Sequence, residues 1–230
     1  MTASTKRRPL APLAPQSLAE LAYDSIRESV LSGRFAMGER IVESRVAEEL
    51  GTSRAPIREA LRRLSEEGLV IEKPRHGSYV REIAAADFID IYNVRIALET
   101  AAIRLVTRRQ PPLDRIEDTI QQMERAAERG QLSKVLDLEL AVHQELCDAS
   151  GNSYLAAAFH SVAGPVRMAL GVDAVDNQTP AEIAAEHPPL LEAVRTGDED
   201  HAAATIRDHI VASVGPVLER LGGRAEDLLF

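Results

Sequence analysis

The sequence predicts a mainly α-helical protein in two parts, an N-terminal winged helix-turn-helix domain followed by an all-α antiparallel helical bundle. Three observations carry that prediction. Within residues 53–69, Ile57, Ala60, Leu61 and Leu64 recur at helical spacing on one face, while Arg54, Arg58 and Arg62, four apart, stack on another. Directly after them, two short apolar runs flank the turn sequence PRHGS, the pattern of a β-hairpin. From Asp87 onward helical spacing is nearly continuous, broken at Pro111 and Pro112, at Gly130, at 150–152, at 171–179 and at Gly197.

Taken in order, residues 1–16 combine Lys6, Arg7 and Arg8 with prolines and no apolar core, and are expected to form a flexible arm that brushes DNA or has no role. Ser17 and Glu20 are spaced as a capping box for a first helix, whose Leu18, Ala22, Ile26 and Val30 share a face up to Gly33. A short helix over 43–50 turns Val46, Ala47 and Leu50 inward and stops at Gly51, where a left-handed cap is wanted. Ser53 then caps the arginine-bearing helix, and Pro56 sits in its first turn, where a missing N–H is no loss. Two helices joined by a tight glycine turn form the helix-turn-helix, whose second member enters the major groove. Gly68 ends that helix; 69–71 and 79–81 are the strands of a wing with Arg75, His76 and Gly77 at its tip, a charge, a ring donor and a residue without Cβ that suit a sugar-phosphate rail. Arginines at i, i+4 are equally at home on a solvated face with glutamates such as Glu59 and Glu66, so it is the whole succession of elements that favours DNA. Residues 82–86 link this domain (17–82) to the second (83–230), read as helices over 87–109, 112–129, 131–149, 153–171, 180–196 and 198–221.

Composition narrows the function. The 230 residues suffice for two ordinary domains, the single Cys147 excludes an internal disulfide and fits a reducing cytoplasm, and no stretch of 18 apolar residues is present to cross a membrane. The net charge of −9 speaks against nucleic acid only until it is divided: residues 1–82 hold 14 basic and 12 acidic side chains, the remainder 13 and 24. The acidity therefore belongs to the bundle, which leaves DNA contact to a small local basic surface.

Bundles build ligand sites from inward polar side chains on facing helices. Glu139 and His143, four apart, share a helix face, and His187 and His209 each lie 11 residues from residue 198, at the turn between the last two segments. In an antiparallel pair both reach the same height, roughly 16 Å along at 1.5 Å per residue. Three imidazoles and a carboxylate suit zinc, nickel or a similar divalent ion. Histidines in bundles are also commonly core or surface residues with ordinary hydrogen bonds, and spacing does not choose between the two. Arg95 pairs with Glu99 at i+4 or faces the cavity, and Asn152 caps the following helix or donates to a ligand.

Residues 17–81 resemble the winged helix-turn-helix domain of the GntR family of bacterial transcription regulators, on the run MGERIVESRVAEELGTSRAPIREALRRLSEEGLV from Met37. The resemblance implies that Arg54 and Arg58 contact bases or phosphates and that Gly77 lies against the groove; Ala55 stands where the family often has threonine. Residues 87–221 are similar to the FCD effector-binding domain of the FadR subfamily, in its six-helix form, on VRIALETAA, ELAVHQELCDASGN and AEHPPLLEAVRTGDEDHAAATIRDHI. That resemblance implies metal ligands at Glu139, His143, His187 and His209 and a ligand-facing arginine at Arg95. Glu139 replaces the usual aspartate, and Pro188 and Pro189 restrain His187 from helix, so a helix starts or kinks there.

The expectation is therefore a cytoplasmic transcription regulator, a repressor of a catabolic operon, that binds a palindromic double-stranded DNA operator as a homodimer. Its DNA-facing residues would be Ser53, Arg54, Arg58, Arg62, Arg75, His76 and Gly77. Zinc or nickel and a hydroxy or sugar acid, held by the four ligands with Arg95 and Asn152, would alter operator affinity. The alternatives are a metal-free pocket for an acyl or other apolar effector and, remotely, a metal-dependent enzyme fused to a DNA-binding domain, for which the sequence offers no further general acid or base.

Overall fold

A computed structural model describes residues 17–220 together with 224, 226 and 228; the arm over 1–16 lies outside the described residues. Helix α1 (Leu18–Leu31) opens on the capping box, Ser17 Oγ accepting from the Glu20 N–H and the Ser17 N–H donating to the Glu20 carboxylate. Its Ala22, Ile26 and Val30 are buried as the spacing predicts, but Leu18 is 63 % exposed, because the first turn projects past the core. Strand β1 (Arg40–Ile41) leads into α2 (Glu43–Glu49). Val46 and Ala47 are buried; Leu50 is not, since it falls at the C-cap, where the chain turns away through Gly51 at φ +61°.

Helix α3 (Arg54–Glu66) buries the expected Ile57, Ala60, Leu61 and Leu64. Ser53 holds the N-cap position, yet its side chain makes no capping hydrogen bond, which corrects the expected cap. After Gly68, at φ +76°, come β2 (Val70–Lys73) and β3 (Gly77–Val80), paired antiparallel with Val70 opposite Val80 and Lys73 opposite Gly77. The two-residue β1 also pairs with β3, giving the order β1-β3-β2. Two residues are too short for periodicity to announce, so β1 is a finding of the structure.

The bundle comprises α4 (Ala85–Arg109), α5 (Asp114–Glu128), α6 (Leu132–Ala149), α7 (Ser153–Asn177), α8 (Pro180–Ala185), α9 (Pro188–Arg195) and α10 (Glu199–Arg220). Two helices differ from expectation. The segment over 180–196 divides before Pro188, because Pro188 and Pro189 have no N–H to donate to the carbonyls four residues back, while His187 itself stays in the αR region at φ −91° and ψ −37°; α7 runs six residues beyond Gly171, which stays out of the positive-φ region. A main apolar core fills the bundle, built on residues such as Phe88, Tyr92, Ile103, Val142 and Ile206, with a smaller cluster of Ala102, Cys147, Leu155 and Phe159 beside it. A second core lies under the helix-turn-helix, and α7 contributes Met168 to it. Ile83 packs against both cores, so the linker is seated between them.

Candidate functional site

Two sites emerge, one on each part of the chain. On α3, Arg54, Arg58 and Arg62 stand 65 %, 65 % and 54 % exposed. They are not alike. Arg62 is clasped by Glu59 at 2.7 Å and by Glu66, the solvated-face arrangement in miniature, whereas Arg54 and Arg58 share the single Oε2 of Glu43 at 3.4 and 3.9 Å. Glu43, at the start of α2, is a carboxylate that spacing within one helix does not reveal, because it comes from the neighbouring element.

The groove between α3 and the wing is lined by Arg58, Arg62, Lys73, Arg75, Gly77 and Ser78, with Glu43 at its edge. The wing tip turns through Arg75 at φ +65°, a left-handed conformation uncommon for a residue with a Cβ, closed by the His76 N–H donating to the Lys73 carbonyl at 2.9 Å. Gly77 follows at φ +96°, and a Cβ there would meet the Arg40 guanidinium at 3.4 Å. Arg40 and Lys73 thus join the cationic edge of the wing, although sequence alone did not single them out.

In the bundle, Glu139 and His143 on α6, His187 before α9 and His209 on α10 converge so that one donor atom from each lies within 4.8 Å of the others. Glu139, His143 and His187 are buried, and the His209 side chain is 6 % exposed. The rings are fixed from behind. His187 Nδ1 donates to the Ile183 carbonyl at 2.8 Å, and His143 Nδ1 meets the buried Glu99 carboxylate in a short hydrogen bond. His209 Nδ1 lies 3.8 Å from Glu186. The Nε2 atoms point inward: that of His187 is buried with no hydrogen-bond partner among the described residues, and those of His143 and His209 face each other at 3.2 Å.

Two imidazole nitrogens on one tetrahedral zinc, each at about 2.0–2.1 Å, stand roughly 3.3 Å apart. The observed 3.2 Å has that spacing. Burial, reinforced by Arg95 and the neighbouring rings, holds the pKa of His143 and His209 well below 6.5, and burial takes His187 down to about 4. All three are therefore neutral near pH 7, the form that ligates. The donor set fits a divalent cation of the zinc and nickel type.

Arg95 is buried beside these ligands. Its Nε donates to Glu99 at 2.7 Å, its Nη2 lies 3.7 Å from Glu139, and its Nη1 is buried without a hydrogen-bond partner among the described residues. The two readings of Arg95 are thus not exclusive, since it pairs with Glu99 and still faces the cluster. Although burial opposes its charge, Glu99, Tyr92 and Glu139 raise its pKa above the usual arginine value. Glu99 itself links Arg95 to His143; its pairing with Arg95 was legible at i+4, but its contact with α6 was not. Asn152 stands apart. Its Oδ1 accepts from the Tyr154 and Leu155 N–H groups as the N-cap of α7, at the exposed turn rather than among the ligands, because the amide is placed by helix capping.

Comparison with known proteins bears on both parts. The family described as bacterial regulatory proteins, gntR family, matches residues 18–80, and the FCD domain matches residues 90–212. The chain is 28 % identical over 225 residues to the "Probable D-xylose utilization operon transcriptional repressor" of Paenarthrobacter nicotinovorans, spanning 97 % of this chain and 96 % of that protein. It is 31 % identical over 150 residues to the HTH-type transcriptional repressor RspR of Escherichia coli (strain K12), covering 64 % and 63 % of the two chains. Among solved structures, E. coli McbR/YncC shares the fold at a TM-score of 0.72 with 20 % identity, over 91 % of this chain and 100 % of that one.

Proposed function

This chain belongs to the gntR family of bacterial regulatory proteins and carries an FCD domain, and from that premise we propose a metal-dependent, acid-responsive repressor of the FadR subfamily. A transcriptional regulator of the GntR type binds DNA through its helix-turn-helix. Here residues 17–82 form the reading domain, with Ser53, Arg54, Arg58, Arg62, Arg75, His76 and Gly77 on the operator, and a homodimer spans a palindromic site. Residues 83–230 hold the effector. The relative named for a D-xylose utilization operon supports a catabolic operon as the target.

The observation that carries the ligand chemistry is the cluster of three neutral imidazoles and Glu139 beside the unpartnered Nη1 of Arg95. Burial raises the Glu99 pKa and shifts it toward the neutral form, in which Arg95 and Glu139 balance one another. A divalent cation held by Glu139, His143, His187 and His209 would bring net positive charge into this buried site whichever form Glu99 takes. Burying an unbalanced charge is costly, and a carboxylate ligand would offset it. When bound, the ion supplies a Lewis-acid position for one ligand oxygen. Arg95 Nη1 then donates to the other oxygen or to a hydroxyl beside it, so a hydroxy or sugar acid meets a donor at each end. The ligand alters operator affinity only to the extent that it binds the two arrangements of the protein differently.

Thermal unfolding against a panel of hydroxy, dicarboxylic and sugar acids, each with zinc, with nickel and with chelator, tests this reading. Ligand at 100 times its dissociation constant adds about 2.7 kcal/mol, a midpoint shift of roughly 5–11 °C for a chain of this size. A shift with one acid that chelator abolishes is expected. A shift with an acyl compound in chelator, and none with any acid, would favour the metal-free apolar pocket instead.

A further inference from the structure

The same helix that presents Glu139 and His143 to the cluster also grips the reading domain with its other side. Asp137 Oδ1, two residues before Glu139, accepts from Arg167 Nε of α7 at 2.8 Å and from Arg27 Nη2 of α1 at 3.4 Å. Arg167, whose side chain is 1 % exposed, also donates through Nη2 to the carbonyl and hydroxyl of Ser133 at 3.1 and 3.3 Å. The Ser133 hydroxyl in turn donates to Glu28 of α1 at 3.4 Å. Ser133 and Asp137 are four apart on α6, as are Glu139 and His143, so one rigid helix carries two polar faces with two different partners.

One turn away, α7 touches the end of the reading helix directly. The Glu67 carbonyl, at the C-cap of α3, lies so close to Gly164 that a Cβ there would overlap it, and a Cβ on Gly68 would meet the Pro165 ring at 3.2 Å. Tyr23 of α1 donates to the Glu67 carboxylate at 2.8 Å, which ties α1 and the end of α3 into one body. Beside this joint lies a cleft of about 490 Å³ lined by Tyr23, Arg27, Glu67, Asp137, His160 and Arg167. The joint therefore combines this polar node, with open space next to it, and the apolar contact that Met168 and Ile83 make with the core under the helix-turn-helix.

We propose that the Arg27–Asp137–Arg167 node and the Gly164 contact form the bearing through which occupancy of the four-ligand site sets the placement of the reading helix, with Arg167 as its positioning residue. The proposal rests on the metal reading above. The Nε2 atoms of His143 and His209 already stand 3.2 Å apart, near the roughly 3.3 Å spacing that one zinc imposes, so an ion would draw Glu139 and His187 toward them, within a cluster whose donor atoms lie within 4.8 Å of one another. A pull on the Glu139 carboxylate acts on α6. Asp137 and Ser133 move with the same helix, and Arg167 and Arg27 convey that motion to α7 and α1, hence to Glu67 at the end of α3. Packed elements of this kind shift between discrete positions rather than deforming smoothly.

Hydrogen exchange of the full chain with zinc as the only added ligand tests this, with zinc affinity read separately by chelator competition. In the wild type, zinc is expected to slow exchange in α6 and, by about fivefold or more, the lower end of known couplings, in α1 and at residues 64–69. In Gly164→Ala, which forces the joint apart, and in Arg27→Gln, which removes one cation from Asp137, zinc affinity and the α6 response should persist while the response at α1 and 64–69 is lost. Arg27→Lys should restore it, which a loss of packing alone would not do. Zinc binding whose protection stops inside the wild-type bundle, or variants that transmit as the wild type does, would overturn the bearing and leave the metal site standing. Absence of zinc binding would overturn both.

Discussion

Three imidazoles kept neutral by burial make the metal-free protein sensitive to acid. The folded-state pKa values of His143, His187 and His209 all lie below the ordinary 6.5, with His187 at about 4. As the pH falls, the unfolded chain takes up these protons first, so the stability they protect is present above about pH 6.5 and drains away below it. Between about pH 7.5 and 5.5 a histidine of pKa 6.5 in the unfolded chain gains roughly 1.4 kcal/mol of protonation free energy, and a ring that stays neutral when folded gains none. For His187 that is a fall in unfolding midpoint of roughly 3–6 °C, and His143 and His209, held down by the same burial, add to it in the same direction. Urea and thermal unfolding of chelator-treated protein at the two pH values measure it. His187→Gln should shrink the acid-induced loss by about 1.4 kcal/mol, and because the carboxylates titrate in both proteins the difference reports on the ring. An equal loss in wild type and variant would refute the claim that burial holds this imidazole neutral.

Three further outcomes separate the parts of the molecule. Arg58→Ala should weaken operator binding by about tenfold or more and lower the salt slope by about one, since a cation on the duplex releases roughly one counterion; zinc affinity, measured by chelator competition, should not move. Glu43→Gln should tighten DNA binding severalfold in gel-shift titrations, because the carboxylate shared by Arg54 and Arg58 competes with phosphate for both. Leu64→Ala, at a position with no solvent exposure under the reading helix, should cost about 2–5 kcal/mol in urea unfolding through the cavity it leaves.

What the sequence makes legible follows the range of the interactions involved. Contacts within one helix were readable: the Ser17 and Glu20 capping box, the buried face of α3, the turns at Gly51 and Gly68, and the i, i+4 pairs Glu139 with His143 and Arg95 with Glu99. Helix ends were less so, because Leu18 and Leu50 fit the periodicity but sit where the helix has left the core. Contacts between elements were legible where spacing about a turn announced them, as for His187 and His209, and otherwise invisible. Glu43 reaches the arginines from α2, Glu99 reaches His143 from α4, and Asp137 looks like one more acid on an acidic bundle until Arg27 and Arg167 are placed around it. A strand of two residues carries no period to detect, and Gly171 resembles a breaker although a glycine inside a long helix costs only about 1 kcal/mol relative to alanine.

Pro188 and Pro189 show how a local rule and a tertiary site fit together. The predicted helix breaks at His187, although His187 keeps αR dihedrals, because the two prolines after it have no N–H to continue the helical hydrogen bonds. The break does not cost the site its ligand. A helix that ends leaves its last carbonyls without their i→i−4 donors, and at the end of α8 the Ile183 carbonyl has a long 3.4 Å hydrogen bond from the Glu186 N–H. Released from a continuous helix, His187 sits at the N-cap position of α9 and returns its Nδ1–H to that carbonyl at 2.8 Å. The bond fixes the tautomer and aims Nε2 at His143 and His209, whose ring centroids lie 5.5 and 4.9 Å from its own. A proline at the first helical position has no N–H to satisfy and a φ already set for helix, so α9 begins at once and the imidazole is anchored between two rigid turns. The prolines that end one helix are what hold the third nitrogen in place.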